Sequence, residues 1–283
     1  MNAPVTLRGV GLAWRPELAD LCARRLTVTP ATFTEVVAEY VYWRGSVPAE
    51  LRLLVERGVP VIPHGISLSL GGAERVDMRH VDRLARLAEA LEAPLVSEHI
   101  AYVRAKGVEV GHLTPIPRTH EMLEVLIENV RQAQAALPVP IALENIATLF
   151  TWPEDELDDA ELLGTLVAET GCQLLLDISN VQANALNHSF DAKAQLDALP
   201  LDKVAYAHVG GGTERDGLYH DTHKHALRED SLELVRYLAE RGHHIAVLLE
   251  RDDDFPPDEA LEAELDAIRA AQTVGSRAAA ADG

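Results

Sequence analysis

The chain reads as a single-domain α/β protein, a (β/α)8 barrel of the TIM type with its site at the carboxyl ends of the strands. Three observations carry that reading. Eight short apolar runs recur along the 283 residues, each separated from the next by a segment long enough for a helix. Most runs are near-continuous in apolar residues, as parallel strands covered on both faces are. Six of them end at or just before a His, Asp or Glu, and a parallel barrel gathers the carboxyl ends of all its strands on one face.

The runs follow in order. The first is 5–13 (VTLRGVGLA) and the second 33–41 (FTEVVAEYV). The third, 59–66 (VPVIPHGI), carries His64, and the fourth, 94–101 (PLVSEHIA), carries His99. The fifth, 140–147 (PIALENIA), carries Glu144, and the sixth, 173–181 (QLLLDISNV), carries Asp177. The seventh, 204–210 (VAYAHVG), and the eighth, 244–251 (HIAVLLER), carry His208 and Glu250. Between them, 77–92, 119–136 and 231–241 have the apolar spacing of amphipathic helices. The acid-rich segment 153–161 begins with Pro and suits the first turn of another.

An open doubly wound sheet shares this alternation, but no Gly-rich phosphate loop follows the first strand, so no nucleotide or organic cofactor site is indicated. Gly71-Gly72 and Gly210-Gly211-Gly212 read as turns that need positive φ. A domain over 1–274 and a flexible tail over 275–283 are expected, because the tail lacks bulky apolar residues.

Composition narrows the partners. With 25 Lys+Arg against 45 Asp+Glu, the net charge of −20 repels a phosphate backbone, and no basic patch counters it, so nucleic acid is not an expected partner. Cys22 and Cys172 stand far apart without metal-knot spacing, which fits a reducing cytoplasm. No export signal is present and no stretch nears the roughly 18 apolar residues of a membrane span, so a cytoplasmic protein without a membrane partner is expected.

The six strand-end groups are imidazoles and carboxylates without thiolate, a set that suits iron, manganese or zinc. Glu144, on the central strand, is the natural bridge between like-charged ions. Without metal, so many acids and imidazoles at one barrel mouth would repel one another. Further polar groups cluster nearby: Asn180 and His188 after the sixth run, and 219–225 (YHDTHKH) after the seventh. There Asp221, His223 and His225 alternate, so an extended backbone would point all three the same way. Asn145 should face away from Glu144 as a hydrogen-bonding partner or strand-end cap. Glu98 should likewise turn from His99 to pair with a helix. His80, His112, His120, His243 and His244 read as surface or capping residues.

The wording of the motifs adds to their spacing. PHGISLSLGG, SEHIAY, ALENIA, LLLDISN followed by NALNH, AHVGGG, HDTHKH and LLERDDDFP together resemble the multinuclear non-haem iron-dependent oxidative enzymes, the family that includes the iron enzyme of methanobactin biosynthesis. The resemblance runs from about residue 7 to about residue 258. It implies two or three iron ions in mixed Fe(II)/Fe(III) states, dioxygen as co-substrate, and oxidative modification of a ribosomally synthesised precursor peptide at cysteine. The implied ligands are His64, His99, Glu144, Asp177, His208, Asp221, His223 and Glu250, with Asn180 and His188 at a third iron or near the site. No catalytic residue beyond these is indicated. DISN stands where many relatives have a DVNN-like segment, and LERDDD where they have an IEWDDD-like ending, which bears on substrate preference. The resemblance also implies a separate partner protein that recognises the leader of the peptide, since no fused recognition domain fits after the eighth unit.

Two other classes share the strand-end pattern. One is a zinc or manganese barrel hydrolase or isomerase, such as an endonuclease or sugar isomerase. The other is a non-catalytic metal-binding scaffold.

Overall fold

Strand assignment follows from the alternation of side chains within each apolar run. In the computed structural model, which describes residues 4–29 and 32–279, twelve strands and ten helices are found. The strands are β1 (Val10–Trp14), β2 (Thr34–Val37), β3 (Val61–Gly65), β4 (Val96–His99), β5 (Tyr102–Ala105), β6 (Val108–Thr114), β7 (Ile141–Glu144), β8 (Gln173–Asp177), β9 (Val204–Val209), β10 (Gly212–Arg215), β11 (Leu218–Asp221) and β12 (Val247–Leu249). The helices are α1 (Ala19–Leu26), α2 (Ala38–Arg44), α3 (Ala49–Glu56), α4 (Met78–Ala90), α5 (His120–Ala136), α6 (Asp159–Thr170), α7 (Ile178–His188), α8 (Ala192–Ala198), α9 (Glu229–Glu240) and α10 (Asp258–Ala279).

Eight strands, in the order β1-β12-β9-β8-β7-β4-β3-β2, are parallel and close on themselves with helices between them. The fold is a TIM barrel. Two buried layers result. Leu12, Val36, Val96, Leu143, Leu176, Val209 and Leu249 point outward into the core shared with helix residues such as Leu84, Leu126, Leu166 and Leu234. Ala13, Phe33, Ile62, Leu95, Ala142, Leu175, Tyr206 and Leu248 form a separate inner cluster that fills the bore. Because successive strand residues alternate between faces, the residue two places beyond each inner one also points inward. Those residues are Arg15, Glu35, His64, Ser97, Glu144, Asp177, His208 and Glu250, with His99 two further along β4.

Several boundaries differ from the sequence expectation. The second run stops being a strand at Val37 and continues as α2, and the sixth turns into α7 directly after Asp177, whose side chain caps that helix by accepting from Asn180 N. A capping box of Asp158 and Glu161 starts α6 inside the acid-rich segment. The antiparallel hairpins β5–β6 and β10–β11 were not expected at all. Their two-residue turns, Lys106-Gly107 and Asp216-Gly217, have positive φ at both positions, so the turn signal was present in the sequence, as Asp-Gly above all.

The paired glycines correct another expectation. None of Gly71, Gly72, Gly210, Gly211 or Gly212 has positive φ. They are needed for close approach: a Cβ on Gly71 would collide with the Ile116 side chain, and one on Gly211 with the carbonyls of His225 and Ala226. Helix α10 continues to Ala279, into the segment 275–283 expected as a tail, and residues 280–283 lie outside those described. No helix among the described residues is long and apolar enough to cross a membrane.

Candidate metal centre

The inward residues at the strand ends meet above the inner apolar layer. Register aligns them, since Asp177 pairs with His208 and His99 with Glu144 across neighbouring strands. Glu144 is central. Its Oε2 lies 3.4 Å from His64 Nε2 and 3.3 Å from His99 Nε2, and its Oε1 lies 3.6 Å from His208 Nδ1. His208 Nδ1 is also 3.0 Å from Glu250 Oε2, which in turn lies 3.2 Å from His223 Nδ1. His223 Nε2 is 2.7 Å from Asp221 Oδ2 and 3.7 Å from Asp177 Oδ2. Arg15 closes the rim with a 3.0 Å bond from Nη2 to Glu250 Oε1 and a second pairing to Asp252.

Four overlapping groups result, each with ligand atoms within 4.8 Å of one another: His64, His99 and Glu144; Glu144, Asp177 and His208; Asp177, His223 and Glu250; and Glu35, His208 and Glu250. Atoms bound to one ion at about 2.1 Å stand no more than about 4.2 Å apart, so the pairs measured above have the spacing of a metal site. Hydrogen bonding supports the fit. Glu144 Oε2, Asp177 Oδ2, Asp221 Oδ1 and His208 Nδ1 are buried without a hydrogen-bond partner, a costly condition that cations held by the groups containing Glu144, Asp177 and His208 would relieve for those three residues.

The electrostatics of the bare pocket are divided. Burial raises the Glu144 carboxyl, yet His99, His208 and His64 outweigh it and hold the group at about 2. Burial and the adjacent Asp221 push Asp177 up to about 8. Burial favours neutral His99, but Glu144 and Glu98 raise it to about 9. Asp177 thus favours its protonated form far more than an ordinary carboxyl, and a metal ion bound there would displace that proton.

The sequence-wide comparison decides the family. A model described as RiPP precursor modification enzyme MbnB/TglH/ChrH matches residues 9–273. The chain belongs to this family. Within it, the MbnB/TglH/ChrH-type chain is 48% identical over 278 residues to a UPF0276 protein of Streptomyces avermitilis, covering 95% of this chain and 56% of that one. It is 35% identical over 271 residues to a UPF0276 protein of Caulobacter vibrioides, covering 95% and 96%. The chain thus spans about half of the first relative and nearly all of the second. Among solved structures, endonuclease IV from Thermus thermophilus has a TM-score of 0.63 at 20% identity, covering 93% of this chain and 98% of that one. An L-ribulose 3-epimerase has a TM-score of 0.60 at 14% identity, covering 98% of each. Those two likenesses are of fold alone.

The residues expected at the MbnB/TglH/ChrH-type site fall into three sets. His64, His99, Glu144, Asp177, His208, Asp221, His223 and Glu250 are brought together, although Asp221 and His223 do not share the extended segment that their alternation predicts. Strand β11 ends at Asp221, and His223 takes a left-handed φ of 51°, so a turn rather than an extended segment aims it inward. His225 is left outside, exposed, with Nδ1 2.9 Å from Thr222 Oγ1.

Asn145 and Asn180 stand just behind. Asn145 donates from Nδ2 to Asp177 O and accepts from Asp177 N, both at 2.9 Å, which fixes the backbone of that acid. Asn180 donates its backbone N–H to Asp177 Oδ1 and its side-chain Nδ2 to Asn145 O. His188 is elsewhere: its Nε2 lies 2.8 Å from Thr148 Oγ1, in an apolar cleft of about 170 Å³ bordered by Phe150, Trp152 and Phe190. Glu98 does face away from the bore, but it accepts from the backbone N–H groups of Ser67 and Leu68 rather than pairing with a helix.

Glu35, Tyr206, Ser97 and Arg15 went unnoticed in the sequence. Each obeys the two-residue alternation, but Glu35, Tyr206 and Ser97 stand inside their apolar runs, and Arg15, just past the first, is a cation rather than a metal-ligating type.

Gly210 has a testable part in this geometry. A Cβ there would overlap the His223 ring, which must then leave its place between Asp177 and Glu250. Gly210→Ala is therefore expected to fold normally by circular dichroism and to bind about one metal equivalent fewer. Unchanged stoichiometry by elemental analysis would count against the placement of His223.

Proposed function

We propose that the chain is a multinuclear iron enzyme that uses dioxygen to modify a ribosomally synthesised precursor peptide oxidatively at cysteine. One observation carries the reading: within a family of precursor-modifying enzymes, three of the ligand groups form a row in which Glu144 joins the first to the second and Asp177 the second to the third. Shared carboxylates offset the repulsion between neighbouring cations, so the row has room for three iron ions.

Iron bound there supplies one-electron chemistry toward dioxygen that a peptide and protein side chains lack. The chain's own residues hold and shield that centre. His64 and His99 present Nε2 to Glu144, while Asn145 locks the backbone that carries Asp177. Arg15 keeps Glu250 turned inward. The side chains of His64, Glu144, Asp177 and His208 are 0–3% exposed, whereas that of His223 is 14% exposed, so the open side for a peptide lies over the β10–β11 hairpin. A peptide cysteine brought to that side would lie beside His223, and a metal held by His223, Asp177 and Glu250 would favour its thiolate form. A separate leader-recognition protein would bring the peptide, in the cytoplasm.

The test uses protein reconstituted anaerobically with Fe(II), the candidate precursor encoded beside its gene, and the neighbouring partner protein. Oxygen uptake that requires both iron and peptide, with a mass change lost in a Cys→Ser peptide, is the expected result. Zinc or manganese dependence with phosphodiester cleavage or sugar turnover, and no oxygen uptake, would overturn it.

A further inference from the structure

We infer that Glu35, outside the row of groups that Glu144 and Asp177 join, fixes the tautomers of two ligand histidines at once: His208 by direct contact and His64 through Tyr206 and Ser97. The inference rests on the reading that the pocket holds metal. Glu35 sits on β2, fully buried, and its Oε2 receives both His208 Nε2 at 3.0 Å and Tyr206 Oη. Tyr206 Oη is also 2.8 Å from Ser97 Oγ, and Ser97 Oγ is 2.9 Å from His64 Nδ1. The five side chains thus form one continuous chain across the bore.

Hydrogen counting gives that chain a direction. A carboxylate has no hydrogen to donate, so His208 Nε2 must carry one and Tyr206 must give its only hydrogen to Glu35. Tyr206 Oη can then only accept from Ser97. With the Ser97 hydrogen committed, His64 Nδ1 must donate to Ser97 Oγ. In the neutral ring that a metal ligand requires, the one lone pair is then left on His208 Nδ1 and on His64 Nε2. These are the two atoms that face Glu144 and that its shared ions require. A histidine ligand commonly donates its second ring hydrogen to such a partner, and here one acid serves two rings.

Glu35 lies on the far side of the His208 ring from Glu144 and Glu250, so it is a positioning residue rather than a ligand in this arrangement. Glu35→Leu removes both acceptor oxygens at similar volume, whereas a Gln could still turn its amide oxygen to both donors. His208 Nε2 and Tyr206 Oη are then left without an acceptor, and the polarity of the chain is lost.

Zinc(II) is the probe, because it is diamagnetic and needs no oxygen. In 15N-histidine spectra of the zinc-loaded chain, metal on His208 Nδ1 and His64 Nε2, with hydrogen on their other nitrogens, is the expected pattern. Glu35→Leu is expected to lower zinc affinity by about 10- to 100-fold and to disturb both rings. Tyr206→Phe, a milder change that leaves the Glu35 contact with His208 intact, is expected to disturb His64 alone. Retention of both ring patterns and of zinc affinity in Glu35→Leu overturns the inference. So does loss of one whole zinc equivalent with the surviving rings unchanged, since that makes Glu35 a ligand. A wild-type chain that takes up no zinc, iron or manganese overturns the metal-centre reading itself, and this inference with it.

Discussion

Glu144→Gln is expected to lose at least two of the bound metal ions while the barrel stays folded. The variant keeps the volume of the side chain and removes its charge. Two dications about 4 Å apart repel by roughly 16 kcal/mol at an effective dielectric near 20, four times the value for unit charges. A bridging carboxylate is what offsets that repulsion, and Glu144 is within 3.6 Å of three imidazole nitrogens belonging to two of the ligand groups. Asn180→Ala, by contrast, removes only the Nδ2 bond to Asn145 O and leaves the backbone bond to Asp177 in place, so it should lose at most one ion. Elemental analysis of the two variants beside wild type reads both numbers. Equal metal content in wild type and Glu144→Gln would refute the bridge, and peptide-dependent oxygen uptake should vanish with the metal.

Stripping the metal should lower thermal stability sharply. The bare pocket buries Glu35, Glu144, Asp177, Asp221 and Glu250 against four histidines, and leaves several of their atoms without partners. Metal that binds only the folded chain adds about 2.7 kcal/mol per site when free ion is at 100 times its dissociation constant. At about 2–4 °C per kcal/mol for a chain of this size, one site alone should raise the melting temperature by about 5–10 °C. Calorimetry of chelated protein with and without added Fe(II) under anaerobic conditions checks this. A melting temperature indifferent to metal would argue that the cluster is satisfied without a cation.

The barrel was legible because parallel strands leave a strong local trace. Each is a short apolar run, and the inner and outer faces can be counted from any one residue. Strand ends were legible for the same reason, which is why His64, His99, Glu144, Asp177, His208 and Glu250 could be picked out without a resemblance. Glu35 escaped because its run continued as the apolar start of α2, so it looked like the interior of a longer strand. The same counting from Phe33 would have found it. The hairpins escaped because their strands are half exposed and carry no apolar run, leaving Asp216-Gly217 as the clearest mark. Asp221 and His223 came through the resemblance, and the alternation offered for them does not describe the turn that places them.

What the sequence determined by itself is the set of faces: which residues of each strand look into the bore, and hence that imidazoles and carboxylates meet there over an apolar floor. Alternation is a property of a single strand and needs no neighbour. What only the tertiary structure decided is how those groups pair. That Glu144 stands between three imidazoles, that Asp177 is shared, and that Glu35 reaches His208 and, through Tyr206 and Ser97, His64 depend on the register of separate strands and on ring rotation. Glu35 and His208 are 173 residues apart in the chain, and no local rule relates the orientation of one to the other.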